Sequence, residues 1–210
     1  QELVDDYGAH GVSVDFEGMN AANINDLVAF VEELQAAVPE VTVATPAVDW
    51  SQAYHYPKLA AAADALFIMG YDYHWSGGGP GPVAPLHGGA PWSQWSLEWT
   101  LGDYLATGVD PQKLIMGLPL YGRRWPTTDN SVPGESAGKA TSMVYTATAA
   151  EVGLYERHWD EITHTPYYFP DGQSQVWYDD VQSLGDKIGW SVDQGMLGVG
   201  FWALNYEGGD

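Results

Sequence analysis

The feature that most constrains the fold is an alternation of short, apolar, β-rich runs with helical patterns along most of the chain. The β-rich runs fall at 11–17, 41–46, 65–73, 114–121 and 198–204. Such alternation is typical of βα units that form a parallel sheet. Near-continuous apolar strands joined by helices predict an α/β barrel of the TIM (β/α)8 type.

The number of βα units is too small for a closed barrel of this type. A closed (β/α)8 barrel needs eight strands and typically about 250 residues, whereas about five major βα units are recognisable in these 210 residues. We therefore expect one domain over 1–210 that is an incomplete barrel, with an irregular insertion at 126–175. Either the chain is a piece of a larger polypeptide, or a second chain covers its exposed strand edges.

Composition excludes several classes of function. Seven Lys and Arg against 28 Asp and Glu give a net charge of −21, and no cysteine is present. Nucleic acids and anionic membrane surfaces both need clustered basic residues, so we expect neither as a partner. The sequence contains no run of about 18 apolar residues, so it predicts no membrane-spanning helix. The six histidines lack the spacing of metal ligands, so we expect no metal and no cofactor.

The first β-rich run carries the sharpest chemical signal. Side chains alternate between the two faces of a strand, so Ser13, Asp15 and Glu17 share one face, which would look into the barrel. Active sites of such barrels lie at the C-terminal ends of the strands. Two close carboxylates cannot both ionise freely, and burial would add to the effect, so one of them should have a raised pKa and serve as a proton donor.

Further acidic and aromatic residues fall at the ends of later strands. An exposed aromatic ring beside acids and phenols is typical of a sugar-binding floor. The acidic and aromatic strand-end residues are Tyr71, Asp72, Tyr121 and Trp202, and Met69 and Arg123 lie beside them in the sequence.

The runs also resemble the motifs of one known family. The segment GVSVDFE at 11–17 resembles the D-G-x-D-x-D-x-E strand of glycoside hydrolase family 18, which contains the chitinases and related N-acetylglucosaminidases. MGYD at 69–72 and GLPLYGR at 117–123 are similar to its M-x-Y-D and G-x-P-x-Y-G-R motifs, and the family's Y-D-D and final G-x-x-x-W motifs also have counterparts. The match starts at the family's fourth strand, which implies that the first three βα units are missing. Within the family, the spore-germination branch is the most similar.

The resemblance implies a mechanism and residue roles. Glu17 would be the general acid, and Asp15 would hold and polarise the N-acetyl group of the substrate, whose carbonyl oxygen attacks the anomeric carbon with retention of configuration. Tyr71 would hydrogen-bond the acetamido oxygen, and Trp202 would floor the subsite in which the sugar ring distorts. The remaining substrate-binding residues would be Asp72, Met69, Tyr121, Arg123 and Ser13.

Two positions depart from the family motif. Its first and middle aspartates are replaced here by His10 and Ser13. A serine can hydrogen-bond Asp15 but carries no charge, so we expect weaker coupling and an altered pH optimum rather than lost activity.

The implied activity is hydrolysis of β-1,4-linked N-acetylglucosamine polymers such as chitin or chitooligosaccharides. A peptidoglycan (cortex) N-acetylglucosaminidase and a non-catalytic chitin-binding lectin on the same scaffold stay open as alternatives, as does endo or exo action. The first six residues lack a signal peptide, yet abundant Trp without Cys favours a secreted, extracellular enzyme. The acidity fits either a high-salt habitat or an ordinary acidic secreted protein.

Overall fold

The computed structural model describes residues 2–208. The predicted domain, 1–210, therefore includes Gln1, Gly209 and Asp210, which lie outside the described residues. The described elements follow one another along the chain as α1 (Glu2–Tyr7), β1 (Val12–Val14), α2 (Ile24–Ala37), β2 (Val41–Pro46), α3 (Tyr56–Ala62), β3 (Ala65–Met69), α4 (Leu97–Ala106), β4 (Leu114–Pro119), β5 (Tyr121–Pro126), β6 (Thr141–Val144), α5 (Tyr145–Val152), β7 (His158–Asp160), β8 (Thr165–Asp171), β9 (Ser174–Trp177), α6 (Val181–Asp193) and β10 (Gly198–Trp202).

The described residues fall into two compact units. Unit 1 contains residues 2–69, Leu101–Met116 and Ser191–Val199. Unit 2 contains Gly70–Thr100, Gly117–Trp190 and residues 200–208. None of the described helices is both long and apolar enough to cross a membrane.

The first sheet consists of five strands in the order β1–β2–β3–β4–β10. β2 pairs in parallel with β1 through Val41 and Val12, and with β3 through Val43 and Leu66. Of these residues, Val41, Val43 and Leu66 are buried. Burial of both faces is the usual reason why strands of a parallel sheet are almost continuously apolar. The predicted βα alternation is therefore present in this sheet.

Helix α2 illustrates how local sequence sets the elements. Asn20 caps the short 3-10 turn before it by accepting a hydrogen bond from the Ala22 amide at 2.9 Å. Leu27, Val28 and Val31 are spaced to bury one helix face, and all three are buried. The helix ends before Pro39, which cannot continue it.

The second sheet lies entirely within unit 2 and is antiparallel, with the order β6–β5–β9–β8–β7. Three of its strands, β6, β7 and β8, and helix α5 lie within 126–175, and β9 begins there, so the expectation of an irregular insertion is wrong. A short strand was predicted at 175–178, where β9 lies, but β6, β7 and β8 were missed. β6 and β7 have only four and three residues, and β8 contains two prolines, which are unusual inside a strand. Aromatic packing stabilises the sheet: Trp177 is fully buried and its ring stacks on Tyr167 at 4.4 Å between centroids.

Several of the predicted β-rich runs extend beyond the strands of the structure. The strands predicted over 11–17 and 65–73 end at Val14 and Met69. Helix α4 begins at Leu97, and the hydroxyl of the preceding Ser96 accepts a hydrogen bond from the Trp99 amide at 3.2 Å. A side-chain cap of this kind fixes the first turn of a helix.

Candidate active site

The two predicted catalytic carboxylates follow the end of β1 in unit 1. Asp15 and Glu17 are both exposed, and Phe16 between them is 48% exposed rather than packed beneath helices. Its ring contacts Phe30 of α2, with 5.3 Å between centroids. Both acids are exposed, so the burial expected for the pair is not present.

Glu17 lines a pocket of about 230 Å³ in unit 1, which we call the Glu17 pocket. Met69, a predicted binding residue at the end of β3, is brought together with Glu17 in this pocket. The carboxylate of Glu17 forms no hydrogen bond or ion pair with the described residues. The other residues that line the pocket are Gly18, Met19, Pro46, Val48, Asp49, Trp50, Ser51 and Tyr54.

Two residues of the Glu17 pocket were missed by sequence reasoning. Trp50 is 75% exposed, and Tyr54 donates a hydrogen bond from its hydroxyl to the Phe16 carbonyl oxygen at 2.7 Å. Both lie in the loop after β2, which matches no motif. The sequence signal that could have identified this loop is a tryptophan four residues after the end of a strand, because indole rings stack on sugars.

The electrostatic surroundings of Tyr54 reflect the nearby acids. Burial raises the pKa of the Tyr54 hydroxyl, and the negative charges of Asp49, Glu17 and Asp15 raise it further. Tyr54 therefore remains a neutral hydrogen-bond donor at ordinary pH.

Ser13 is on β1 but lines a different pocket from Glu17. This pocket has a volume of about 180 Å³, and His10 and Glu40 also line it. A substrate-binding role for Ser13 therefore stays a prediction that the pocket geometry does not support directly.

In unit 2, three of the predicted residues form one polar cluster. The Tyr121 hydroxyl donates a hydrogen bond to Asp72 Oδ1 at 2.8 Å, and Arg123 Nη2 donates to the same oxygen at 2.6 Å. The Arg123 guanidinium lies 5.4 Å from the centre of the Tyr121 ring. Tyr71 packs edge-on against Tyr121 with 6.1 Å between centroids. We call these four residues the Asp72 cluster.

Within the Asp72 cluster, the hydroxyl of Tyr121 stays neutral. Burial raises the pKa of Tyr121 well above its usual value, and the charge and hydrogen bond of Asp72 add to this rise, while Arg123 opposes it. The side chain of Asp72 is 42% exposed and that of Arg123 is 12% exposed. The Asp72 carboxylate is thus partly open to ligands, and hydrogen bonds from Tyr121 and Arg123 hold it in place.

Trp202 is the last residue of β10 and belongs to unit 2. Its side chain is 46% exposed, as a sugar platform requires. The Leu120 amide donates a hydrogen bond to the Trp202 carbonyl oxygen at 2.7 Å, which ties the end of β10 to the residue before β5. Backbone pairing of this kind fixes where the indole is presented.

Metal ligands are not assembled in the part of the chain that the structure describes. No group of three or more His, Cys, Asp or Glu side chains there could hold a metal ion.

The chain aligns over nearly its whole length with named proteins. YdhD of Bacillus subtilis, whose name describes a sporulation-specific glycosylase, is 29% identical over 97% of the chain and 49% of its own length. Chitotriosidase-1 of Mus musculus is 31% identical over 95% of the chain and 47% of its own length. The chain thus spans about half the length of these relatives.

Solved structures agree with the sequence relatives. A chitinase of Cycas revoluta in complex with (GlcNAc)4 superposes with a TM-score of 0.89 and 25% identity, over 98% of this chain and 66% of the other. This likeness makes the domain TIM-barrel-like. The sequence profile described as glycosyl hydrolases family 18 matches residues 1–207. The chain therefore belongs to glycosyl hydrolase family 18.

Proposed function

We propose that this protein hydrolyses β-1,4-linked N-acetylglucosamine polymers, with chitin or chitooligosaccharides as the substrate class. The observation that carries the proposal is the position of Glu17. Its carboxylate follows a parallel strand, has no protein partner among the described residues, and lines a pocket beside an exposed indole, that of Trp50. A carboxyl group that is free of ion pairs and next to a sugar-binding surface can deliver a proton to a glycosidic oxygen.

The proposed mechanism is substrate-assisted and retaining. Glu17 protonates the leaving glycosidic oxygen while the acetamido carbonyl oxygen of the substrate attacks the anomeric carbon and forms an oxazolinium ion. Asp15 orients the acetamide and stabilises its positive charge. Water then adds to the anomeric carbon, with the Glu17 carboxylate as the base that accepts its proton.

Residues of unit 2 serve as binding groups in this proposal. Within unit 2, we assign sugar binding to Tyr71, as a hydrogen-bond donor to an acetamido oxygen, and to Trp202, as a face on which a sugar ring stacks. Asp72 accepts hydrogen bonds from sugar hydroxyls through the oxygen that Tyr121 and Arg123 leave free. Support comes from the exposure of Trp202 and from the partly open Asp72 carboxylate.

The test is the isosteric variant Glu17→Gln. We expect hydrolysis of (GlcNAc)4, whose leaving group is a sugar that requires protonation, to fall by at least about 100-fold, because general acid catalysis typically contributes that much or more. Glu33→Gln, an exposed glutamate of α2, serves as the matched control and should retain full activity. Full activity of Glu17→Gln would contradict the assignment.

A second candidate substrate is the glycan of peptidoglycan, such as that of the spore cortex. It is favoured by the similarity to a sporulation-specific glycosylase. Comparing turnover of (GlcNAc)4 with turnover of purified cortex glycan strands discriminates the two substrates. If the wild-type protein binds (GlcNAc)4 but cleaves neither, a lectin function replaces both proposals.

We also propose that further strands complete the barrel. β1 and β10 stand at the two ends of a five-stranded order, whereas a closed barrel has eight strands. We expect further strands, from the same polypeptide or from a second chain, to cover these two edges, and we expect the protein to act outside the cell.

A further inference from the structure

Tyr54 makes a hydrogen bond that bears directly on the proposed acid. The Tyr54 hydroxyl donates to the carbonyl oxygen of Phe16 at 2.7 Å. That carbonyl belongs to the peptide group that joins Phe16 to Glu17. Fixing the plane of this peptide group restricts the backbone rotation that sets where the Glu17 side chain begins.

The side chain of Phe16, the residue that begins this peptide group, is also held in place. The Phe16 ring packs against Phe30 of α2, 5.3 Å away between centroids. Gly18, directly after Glu17, has a φ of +68°, a conformation that a glycine adopts without steric cost. The backbone at Glu17 is therefore held on its N-terminal side and turns away on its C-terminal side.

The loop that carries Tyr54 is itself ordered by a carboxylate. Asp49 Oδ2 accepts the Tyr54 amide at 2.9 Å, and Asp49 Oδ1 accepts the Ala53 amide at 3.2 Å and the Ser51 hydroxyl at 2.9 Å. Ala53 is completely buried. Asp49 thereby holds the backbone at Tyr54, from which the phenol reaches Phe16.

Tyr54 also lies close to both proposed catalytic carboxylates. It lines the Glu17 pocket together with Glu17, and the charges of Glu17 and Asp15 contribute to the raised pKa of its hydroxyl. A tyrosine that stays protonated next to two acids can keep its donor role through the pH range in which the acids titrate.

We propose that Tyr54 is a positioning residue for the general acid, acting through the Phe16 carbonyl to hold Glu17 in the orientation from which it protonates the leaving group. This inference rests on the proposed function, in which Glu17 is the acid. It assigns Tyr54 no contact with the reacting atoms. Its role is to limit the movement of the Phe16–Glu17 peptide.

The discriminating experiment uses leaving groups that need different amounts of protonation. Tyr54→Phe removes only the hydroxyl. With (GlcNAc)4, whose leaving group is a sugar that requires protonation, we expect kcat to fall between about tenfold and about 100-fold, because displacement of a catalytic group by about 1 Å has an effect of this size. KM should change little.

The same variant should behave differently with an activated substrate. The 2,4-dinitrophenolate released from a 2,4-dinitrophenyl glycoside is a good leaving group that needs no protonation. We therefore expect Tyr54→Phe to lower kcat/KM on this substrate, which reports the steps up to release of the phenolate, by less than about threefold. A role in general stability or in substrate binding would reduce both activities equally. Equal losses on the two substrates, or no loss on either, would overturn the proposal.

A matched control and a second readout separate this inference from the proposed function. Tyr7→Phe removes the hydroxyl of an exposed tyrosine of α1 and should leave both activities unchanged. Amide hydrogen exchange at Glu17 and Gly18 should be faster in Tyr54→Phe than in the wild type. If the wild type cleaves no substrate, the proposed function fails, and unchanged exchange at these two amides would still refute the positioning role of Tyr54.

Discussion

The imidazole of His74 shows how one side chain can make stability depend on pH. His74 Nδ1 lies 3.0 Å from the Gly79 carbonyl oxygen, so that nitrogen carries a proton and donates. The ring packs edge-on against Trp92, and a methyl group at Gly81 would lie only 2.4 Å from it. Burial lowers the pKa of His74 below 6.5, and the hydrogen bond to Gly79 offsets part of this shift.

We predict that His74 makes the protein less stable as the pH falls below 6.5. In the unfolded chain His74 binds a proton near that pH, whereas the folded protein resists binding it until a lower pH. The unfolded state therefore binds more protons in this window, and the free energy of unfolding falls with decreasing pH by up to about 1.4 kcal/mol per pH unit for this group.

The measurement is urea unfolding between pH 7 and pH 5. His74→Asn keeps a side-chain donor but cannot titrate, so its free energy of unfolding should decline less over this range than that of the wild type. His10→Asn, at an exposed position, is the control. An identical decline in the wild type and His74→Asn would show that His74 does not contribute.

At the scale of elements, the junction between β9 and α6 depends on a buried ion pair. Lys187 is completely buried and donates to Asp179, which is 4% exposed. The Ser183 hydroxyl donates to the same carboxylate oxygen at 2.6 Å. The side chain of Lys187 thus joins helix α6 to the segment that directly follows β9.

Removing one partner of this pair should be costly. We predict that Lys187→Met lowers the free energy of unfolding by about 3–5 kcal/mol, because the Asp179 charge is left buried and uncompensated. Lys58→Met, at an exposed position of α3, should change it by less than about 0.5 kcal/mol.

Chemical denaturation of the two variants and the wild type supplies the comparison. Adding Asp179→Asn to Lys187→Met should recover part of the loss, since no buried charge then remains. A double variant less stable than Lys187→Met would contradict this explanation.

Elements with strong local signals were predicted well from the sequence. β2 has the predicted bounds, Val41–Pro46, because its alternating Val and Thr run is bounded by Glu40 and ends in a proline. The antiparallel sheet of unit 2 was not predicted. β5 pairs with β9 through Arg123 and Trp177, and no local pattern reveals which distant strand a short segment will join.

Motifs at strand ends named the members of the Asp72 cluster, Glu17 and Met69 as site candidates, and their roles stay predictions. Which of them contact each other or share a pocket was not predicted. Trp50 and Tyr54 were missed because they lie in a loop whose conformation depends on Asp49 accepting three hydrogen bonds. Such loop contacts leave no periodic signal in the sequence.

At the scale of the whole molecule, charge repulsion opposes the folded state. The net charge is −21 for 210 residues, and such self-repulsion destabilises compact states. The screening length falls from about 10 Å at 0.1 M salt to about 3 Å at 1 M. We predict that the Tm rises when NaCl is increased from 0.05 M to 1 M.

Thermal unfolding in NaCl and in KCl at equal ionic strength tests this prediction. Similar rises in both salts indicate screening, which does not depend on which of these cations is present. A Tm that falls or stays constant in both would show that repulsion between acidic groups is not a significant destabilising force in this protein.

The strand order of the antiparallel sheet has a kinetic consequence. β7, β8 and β9 are neighbours both in the sheet and along the chain, as are β5 and β6, so each group can assemble early from local contacts. The pairing of β5 with β9 must instead close a long loop that contains β6, α5, β7 and β8. Because closing long loops slows folding, the docking of β5 on β9, which pairs Arg123 with Trp177, should be the late step that completes this sheet.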